Sequence, residues 1–216
     1  MIAVVDYDAG NLRSVSQALT RVSHPCHVTS SWRDVLAADG VVLPGVGAAG
    51  AAMRTLAQRD LIGALREVVA AGKPFLGVCL GLQVCMQASE EDGGVECLGL
   101  LPGTVRLLPG GPGLKIPHMG WNQVRWTAPH PLTSGIPSGS YFYFVHSYYV
   151  EPTDAATVVG TTEHGTTFAS VVAFGNVVAT QFHPEKSADD GLRLYASFAR
   201  VCSGAEPAVG ALATAG

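Results

Sequence analysis

Cys79 is the residue whose neighbours best suit it for covalent chemistry. It stands in Gly77-Val78-Cys79-Leu80-Gly81, between an apolar run at residues 74–78 and a helical run that starts at Leu80. Gly-x-nucleophile-x-Gly at a strand-to-helix junction is the pattern of a nucleophile elbow, here with sulfur in place of a hydroxyl. Such a turn lifts the side chain above the sheet edge, and the flanking glycines remove Cβ atoms that would clash there. The free amides at the helix start favour negative charge, on the sulfur or on an oxyanion. Glycine fills 26 of 216 positions, so the pattern also fits a buried cysteine beside incidental glycines. The other cysteines, Cys26, Cys85, Cys97 and Cys202, read as small buried hydrophobes.

A cysteine nucleophile needs a base, and histidine is the usual one. Among seven histidines, His183 closes an apolar strand in Gln181-Phe182-His183-Pro184-Glu185. Pro184 ends the strand and sets the backbone direction. Glu185, two residues on, can reach back to the imidazole, fix its tautomer and stabilise the imidazolium. A solvated His-Pro-Glu turn is the plain alternative.

These residues need a scaffold, and the first half of the chain spells one. Residues 2–6, 26–30, 40–43 and 74–78 are short apolar runs that read as strands. Between them, residues 11–22 carry Leu12, Val15, Leu19 and Val22 at helical spacing, and residues 60–71 repeat Leu61, Leu65, Val68 and Val69 on one face. Strands alternating with amphipathic helices predict a parallel sheet covered on both faces. The second half is richer in Gly, Pro, aromatic and β-branched residues. Residues 109–113 predict a loop, and 141–150 have strong β propensity. Strands are expected at 157–161 and 167–174 around a His164-Gly165 turn, with a hairpin through Gly175-Asn176 to 177–182. Residues 189–202 predict a last amphipathic helix. Residues 1–202 read as one domain, and the Ala/Gly-rich tail at 203–216 as a mobile segment.

Composition narrows the function classes. The chain is 48% hydrophobic and 14% charged, which excludes intrinsic disorder. Its net charge is −4 with no basic stripe, so nucleic acid is not an expected partner. No apolar run approaches the roughly 20 residues of a membrane span, and the N-terminus reads as a first strand rather than a secretory signal. The five cysteines are irregularly spaced and include no Cys-x-x-Cys pair. Neither a zinc site nor a disulfide framework is expected, and a reducing cytoplasm fits.

Gly77-Val78-Cys79-Leu80-Gly81-Leu82-Gln83 together with Phe182-His183-Pro184-Glu185-Lys186-Ser187 resembles the paired motifs of the class I, or triad, glutamine amidotransferases. The order Cys, His, Glu is the order of that family. Further segments are similar to the glutaminase subunits of imidazole glycerol phosphate synthases: residues 6–15 (DYDAGNLRSV), Leu43-Pro44-Gly45-Val46-Gly47, Pro117-His118-Met119-Gly120-Trp121-Asn122, and Phe144-Val145-His146-Ser147-Tyr148. The likeness covers residues 2–200.

The resemblance implies a flavodoxin-like α/β fold with a mixed, largely parallel sheet, and a catalytic triad of Cys79, His183 and Glu185. It implies an oxyanion hole from the amides of Val46 and Leu80, and a glutamine site from Gly45, Gly47, Gln83, His146, Ser147 and Tyr148. Asn11, His118, Met119, Trp121, Tyr143 and Lys186 would lie at a partner interface. The partner would be a cyclase subunit with a (β/α)8 barrel, forming a heterodimer that passes ammonia through a channel. No metal or organic cofactor is implied. Ala49, Cys97 and His164 depart from the family pattern without touching the triad. The alternatives are a glutaminase subunit of anthranilate or aminodeoxychorismate synthase, a silent scaffold of the same fold and, more remotely, a thiol peptidase.

Overall fold

The computed structural model describes residues 1–8, 10–111 and 113–205; the remainder of the expected tail lies outside the described residues. In the first half the strands are β1 (Ile2–Val5), β2 (Cys26–Thr29), β3 (Gly40–Gly45) and β4 (Phe75–Cys79). The helices between and after them are α1 (Leu12–Arg21), α2 (Trp32–Ala37), α3 (Ala49–Gln58), α4 (Leu61–Ala70) and α5 (Leu80–Cys85). β1, β3 and β4 are buried throughout, which is why their sequences run apolar without alternation. β2 lies at the sheet edge and is largely exposed.

The second half contains β5 (Ala88–Ser89), β6 (Val95–Glu96), β7 (Gly103–Leu107), β8 (His118–Trp126), β9 (Ser140–His146), β10 (Tyr148–Pro152), β11 (Val158–Glu163), β12 (Thr167–Phe174), β13 (Val177–Thr180) and α6 (Ala188–Cys202). The main sheet runs β2-β1-β3-β4-β13-β12-β10-β7-β5-β6, and β8, β9 and β11 branch from β12. From β2 to β13 all neighbours are parallel; beyond β13 the pairing is antiparallel apart from β5 with β7. The sheet is therefore mixed, with its parallel half carrying the elbow.

Two apolar layers cover the sheet. Ile2, Val4, Leu76 and Val78 meet Leu19 of α1 and Leu194 and Phe198 of α6 on one face. Ala3, Val5, Leu43 and Phe75 meet Leu56, Leu65 and Val68 of α3 and α4 on the other. The alternation of β1 between these layers is the two-residue period of a strand.

The β-prone run at 141–150 breaks at Ser147, with β9 pairing β8 and β10 pairing β7 and β12. The helices α2 and α3 had no clear periodic signature. α3 is rich in Ala and Gly, and the amide of Ala49 at its start is held by the Glu91 carboxylate at 2.7 Å, from far along the chain.

Candidate active site

Cys79 ends β4 and leads directly into α5, with φ 55° and ψ −106°. A non-glycine residue in this region is strained by about 1–3 kcal/mol, held there by its surroundings. The surroundings are tight. A Cβ on Gly81 would lie 1.9 Å from the carbonyl oxygen of Leu43, and one on Gly77 would lie 3.0 Å from the backbone of Gly81. The motif's glycines thus let α5 seat against β3. Gly81→Ala must push α5 away, and overpacking of this kind costs about 1–3 kcal/mol. A melting temperature lower by about 3–10 °C is expected, read by calorimetry, together with loss of Cys79 reactivity.

Three adjacent parallel strands bring the site together at their C-terminal ends, where ligands bind in open α/β sheets. β3 pairs β4 with Gly45 opposite Cys79, so the 44–47 loop lies beside the sulfur. On the other side β13 pairs β4 and leads into Gln181 and His183. His183 Nδ1 is 2.8 Å from Glu185 Oε1, and both side chains are only 1% exposed. A carboxylate accepts, so Nδ1 carries a proton and Nε2 is the nitrogen left to exchange one with the reaction. Buried Nε2 has no hydrogen-bond partner among the described residues, and Cys79 interacts with the ring.

Burial alone would lower the His183 pKa. Hydrogen bonding with Cys79 and then Glu185, and their charges, outweigh burial and raise it from 6.5 to about 10. Cys79 and Glu185 thus favour the charged imidazolium over the neutral ring. Because the thiol is among the causes that raise the value, Cys79→Ala is expected to shift His183 deprotonation to lower pH. An NMR titration of the ring would show this, and an unmoved midpoint would remove the thiol from the pair.

Glu185 is itself held. Asn11 Nδ2 donates to Oε1 at 3.3 Å, and the buried Tyr195 hydroxyl of α6 lies beside the carboxylate. Burial first, then the charge of Glu185, keep that hydroxyl protonated and able to donate.

A cleft of about 380 Å³ opens over Cys79, lined by Val46, Gly47, Leu80, Gln83, Glu91, Pro117, Val145, His146, Ser147 and Tyr148. It brings together all the expected glutamine-site residues except Gly45. A Cβ on Gly45 would fall 2.2 Å from the Tyr7 hydroxyl oxygen and 3.0 Å from Leu80 Cβ, so its role is close packing under the loop. Gln83 Nε2 donates to the Tyr148 carbonyl at 2.9 Å and to Gln181 Oε1 at 3.3 Å. Both amide hydrogens are spent, which leaves Oε1 to accept from a ligand.

Two polar side chains of the site were not foreseen. Gln181, fully buried, points Nε2 at Cys79 Sγ from 3.8 Å. Glu91 supplies a carboxylate to the cleft wall while its Oε2 holds Ala49. Gln181 stands in the quoted histidine motif and could have been found there; Glu91, in an acidic turn, carried no signal.

The expected interface residues separate into two groups. Met119 and Trp121 are 63% and 53% exposed on one face of β8. Tyr143 lies opposite Trp121 in the β8–β9 register, with ring centroids 6.3 Å apart, and Lys186 Nζ sits 5.5 Å over the Tyr143 ring. Asn11 is half-buried against Glu185, and the His118 ring is buried behind the strand, bonded to His146.

A thiol on a strained elbow, paired with a buried imidazole and carboxylate, defines a cysteine amidohydrolase of the α/β type. Residues 3–199 match the model of the family glutamine amidotransferase class-I. The chain is 52% identical over 197 residues to the imidazole glycerol phosphate synthase subunit HisH of Moorella thermoacetica, covering 91% of this chain and 93% of that one. It is 51% identical to the HisH subunit of Methylococcus capsulatus, covering 92% and 95%. The chain belongs to the class-I glutamine amidotransferases and, within them, to the HisH subunits. Among solved structures, a glutamine amidotransferase crystal structure has a TM-score of 0.74 at 17% identity, covering 94% of this chain and all of that one. PurLQS from Thermotoga maritima has a TM-score of 0.71 at 19% identity, covering 91% and 96%. At these identities the structural matches speak for the fold.

Proposed function

We propose that this chain hydrolyses glutamine to glutamate and ammonia and delivers the ammonia to a cyclase subunit, which makes imidazole glycerol phosphate and AICAR in histidine biosynthesis. The observation that carries this reading is Cys79 at its elbow, coupled to the buried His183–Glu185 pair, at the floor of a cleft sized for a small amide. The Cys79 thiolate attacks the side-chain amide carbon of glutamine. The amides of Leu80 and Val46 receive the oxyanion. His183, as imidazolium, gives its Nε2 proton to the leaving nitrogen, and ammonia departs from a γ-glutamyl thioester. Neutral His183 then takes a proton from water, whose oxygen attacks the thioester and frees glutamate. Glu91 and Gln83 Oε1 are the acceptors suited to the α-ammonium of the substrate.

The chain acts as one catalytic domain, residues 1–202, in a cytoplasmic heterodimer. Among the described residues, no helix is long and apolar enough to cross a membrane. The cyclase, with a (β/α)8 barrel, docks on Met119, Trp121, Tyr143 and Lys186, beside the mouth through which ammonia leaves. Trp121→Ala is expected to weaken the complex about 10- to 100-fold, since exposed aromatics of this kind anchor interfaces. Titration calorimetry would read it, and an unchanged affinity would move the interface elsewhere. Labelling with a glutamine-analogue diazoketone tests the reaction. An adduct on Cys79 in the complex supports it; none, with the cyclase present, refutes it.

A further inference from the structure

Behind the Ser147 and Tyr148 wall of the cleft runs a line of polar side chains that the proposed chemistry does not use. His146 Nδ1 lies 2.8 Å from the carbonyl oxygen of Tyr148. A carbonyl only accepts, so Nδ1 carries the proton. A neutral imidazole has one N–H, so His146 Nε2 must accept. The atom 2.9 Å from it is His118 Nδ1, which therefore donates. His118 Nε2 is left as an acceptor, and Asn122 Nδ2 stands 3.1 Å away. The Asn122 amide is oriented independently: Nδ2 also donates to the Glu163 carbonyl at 2.9 Å, and Oδ1 accepts from the Gln123 amide at 2.8 Å.

One assignment satisfies every atom, with the bonds all directed from Asn122 to Tyr148. It requires both rings to be neutral. Burial holds them so, lowering His118 to about 4 and His146 to about 3. His164 stacks on His118 with centroids 4.1 Å apart and donates Nε2–H to the Lys115 carbonyl, closing the outer side. The Tyr148 oxygen at the inner end is also where Gln83 donates. His118 and Asn122 occupy the face of β8 opposite Met119 and Trp121.

We propose that His118 and Asn122 are positioning residues of the glutaminase site: acting through His146, they fix the Tyr148 carbonyl and, with it, the Ser147 and Tyr148 wall against Gln83. This deepens the glutamine reading of the cleft and rests on it for the kinetic test only; the tautomers stand or fall on their own.

Long-range 15N–1H correlation on the histidine-labelled full chain is expected to show His118 and His146 both as Nδ1–H tautomers. An Nε2–H tautomer at either ring overturns the relay. In the complex with the cyclase, His118→Phe fills the ring's space without its nitrogens. It is expected to raise KM for glutamine about tenfold, with kcat within about twofold, the size of effect that one orphaned buried bond produces. His118→Asn keeps an N–H donor at the δ position and is expected to bring KM back to within about threefold of wild type. A wild-type KM in His118→Phe, a loss confined to kcat, or no rescue by asparagine overturns the proposal. A wild-type complex without glutaminase activity would instead sink the glutamine reading, and the tautomers would still decide the relay.

Discussion

Cys79→Ala is expected to abolish glutamine hydrolysis, lowering turnover by at least about 10⁴-fold, the scale on which single triad members act. The cyclase reaction of the complex should survive when ammonium salt is supplied in place of glutamine. Both halves of the result matter. The substitution removes the atom that attacks, but it leaves the scaffold, because alanine fills less space than cysteine and the turn is imposed by the packing of Gly77 and Gly81. No other thiol can take over. Burial pushes Cys26 up, Cys85 up out of range, Cys97 to about 11 and Cys202 to about 12, so each stays protonated and inert. Paired assays of glutamate release and ammonium-driven cyclisation check this. Continued glutamate release would place the nucleophile elsewhere, and loss of both activities would mean that the variant had lost its partner or its fold.

Glu185→Gln should lower kcat by about 10³–10⁴-fold, with KM changed by no more than about threefold. The side chain keeps its shape but loses its charge. It then no longer stabilises the imidazolium of His183, and its amide can present hydrogens to Nδ1 and force the wrong tautomer. The effect falls on the chemical steps because Glu185 does not line the cleft. The same substitution should lower the His183 pKa, since the carboxylate contributes to raising it by a hydrogen bond and by its charge. Asn11→Ala removes only one weak donor to Oε1 and should cost far less than the loss of the carboxylate. A loss below about tenfold in Glu185→Gln would show that His183 needs no orienting carboxylate.

The elbow was readable because its chemistry and its packing use the same short segment. Cys79, Gly77 and Gly81 are adjacent in sequence, and the steric need for glycine is local. The His183–Glu185 pair was readable for the same reason, being two residues apart across a proline. What escaped was assembled over long sequence separations. Glu91 reaches the cleft through the short turn between β5 and β6, and in doing so caps α3, whose own Ala/Gly-rich sequence announces little. Gln181 stands beside the histidine motif, but nothing local says that its amide will turn toward the sulfur. The β-prone run at 141–150 breaks at Ser147 because its two halves pair with different strands, a choice made by tertiary partners and not by propensity. His118 stands next to exposed Met119 in sequence, yet strand alternation turns it inward to His146.

Glutamate release by the purified chain, measured alone and then with the cyclase and the cyclase's ligand, tests the central claim most directly. The chain alone is expected to turn over glutamine slowly, and the liganded complex far faster, with the activity lost in Cys79→Ala. Turnover by the isolated chain equal to that of the complex would contradict a glutaminase governed by its partner, and no turnover in either would contradict a glutaminase altogether.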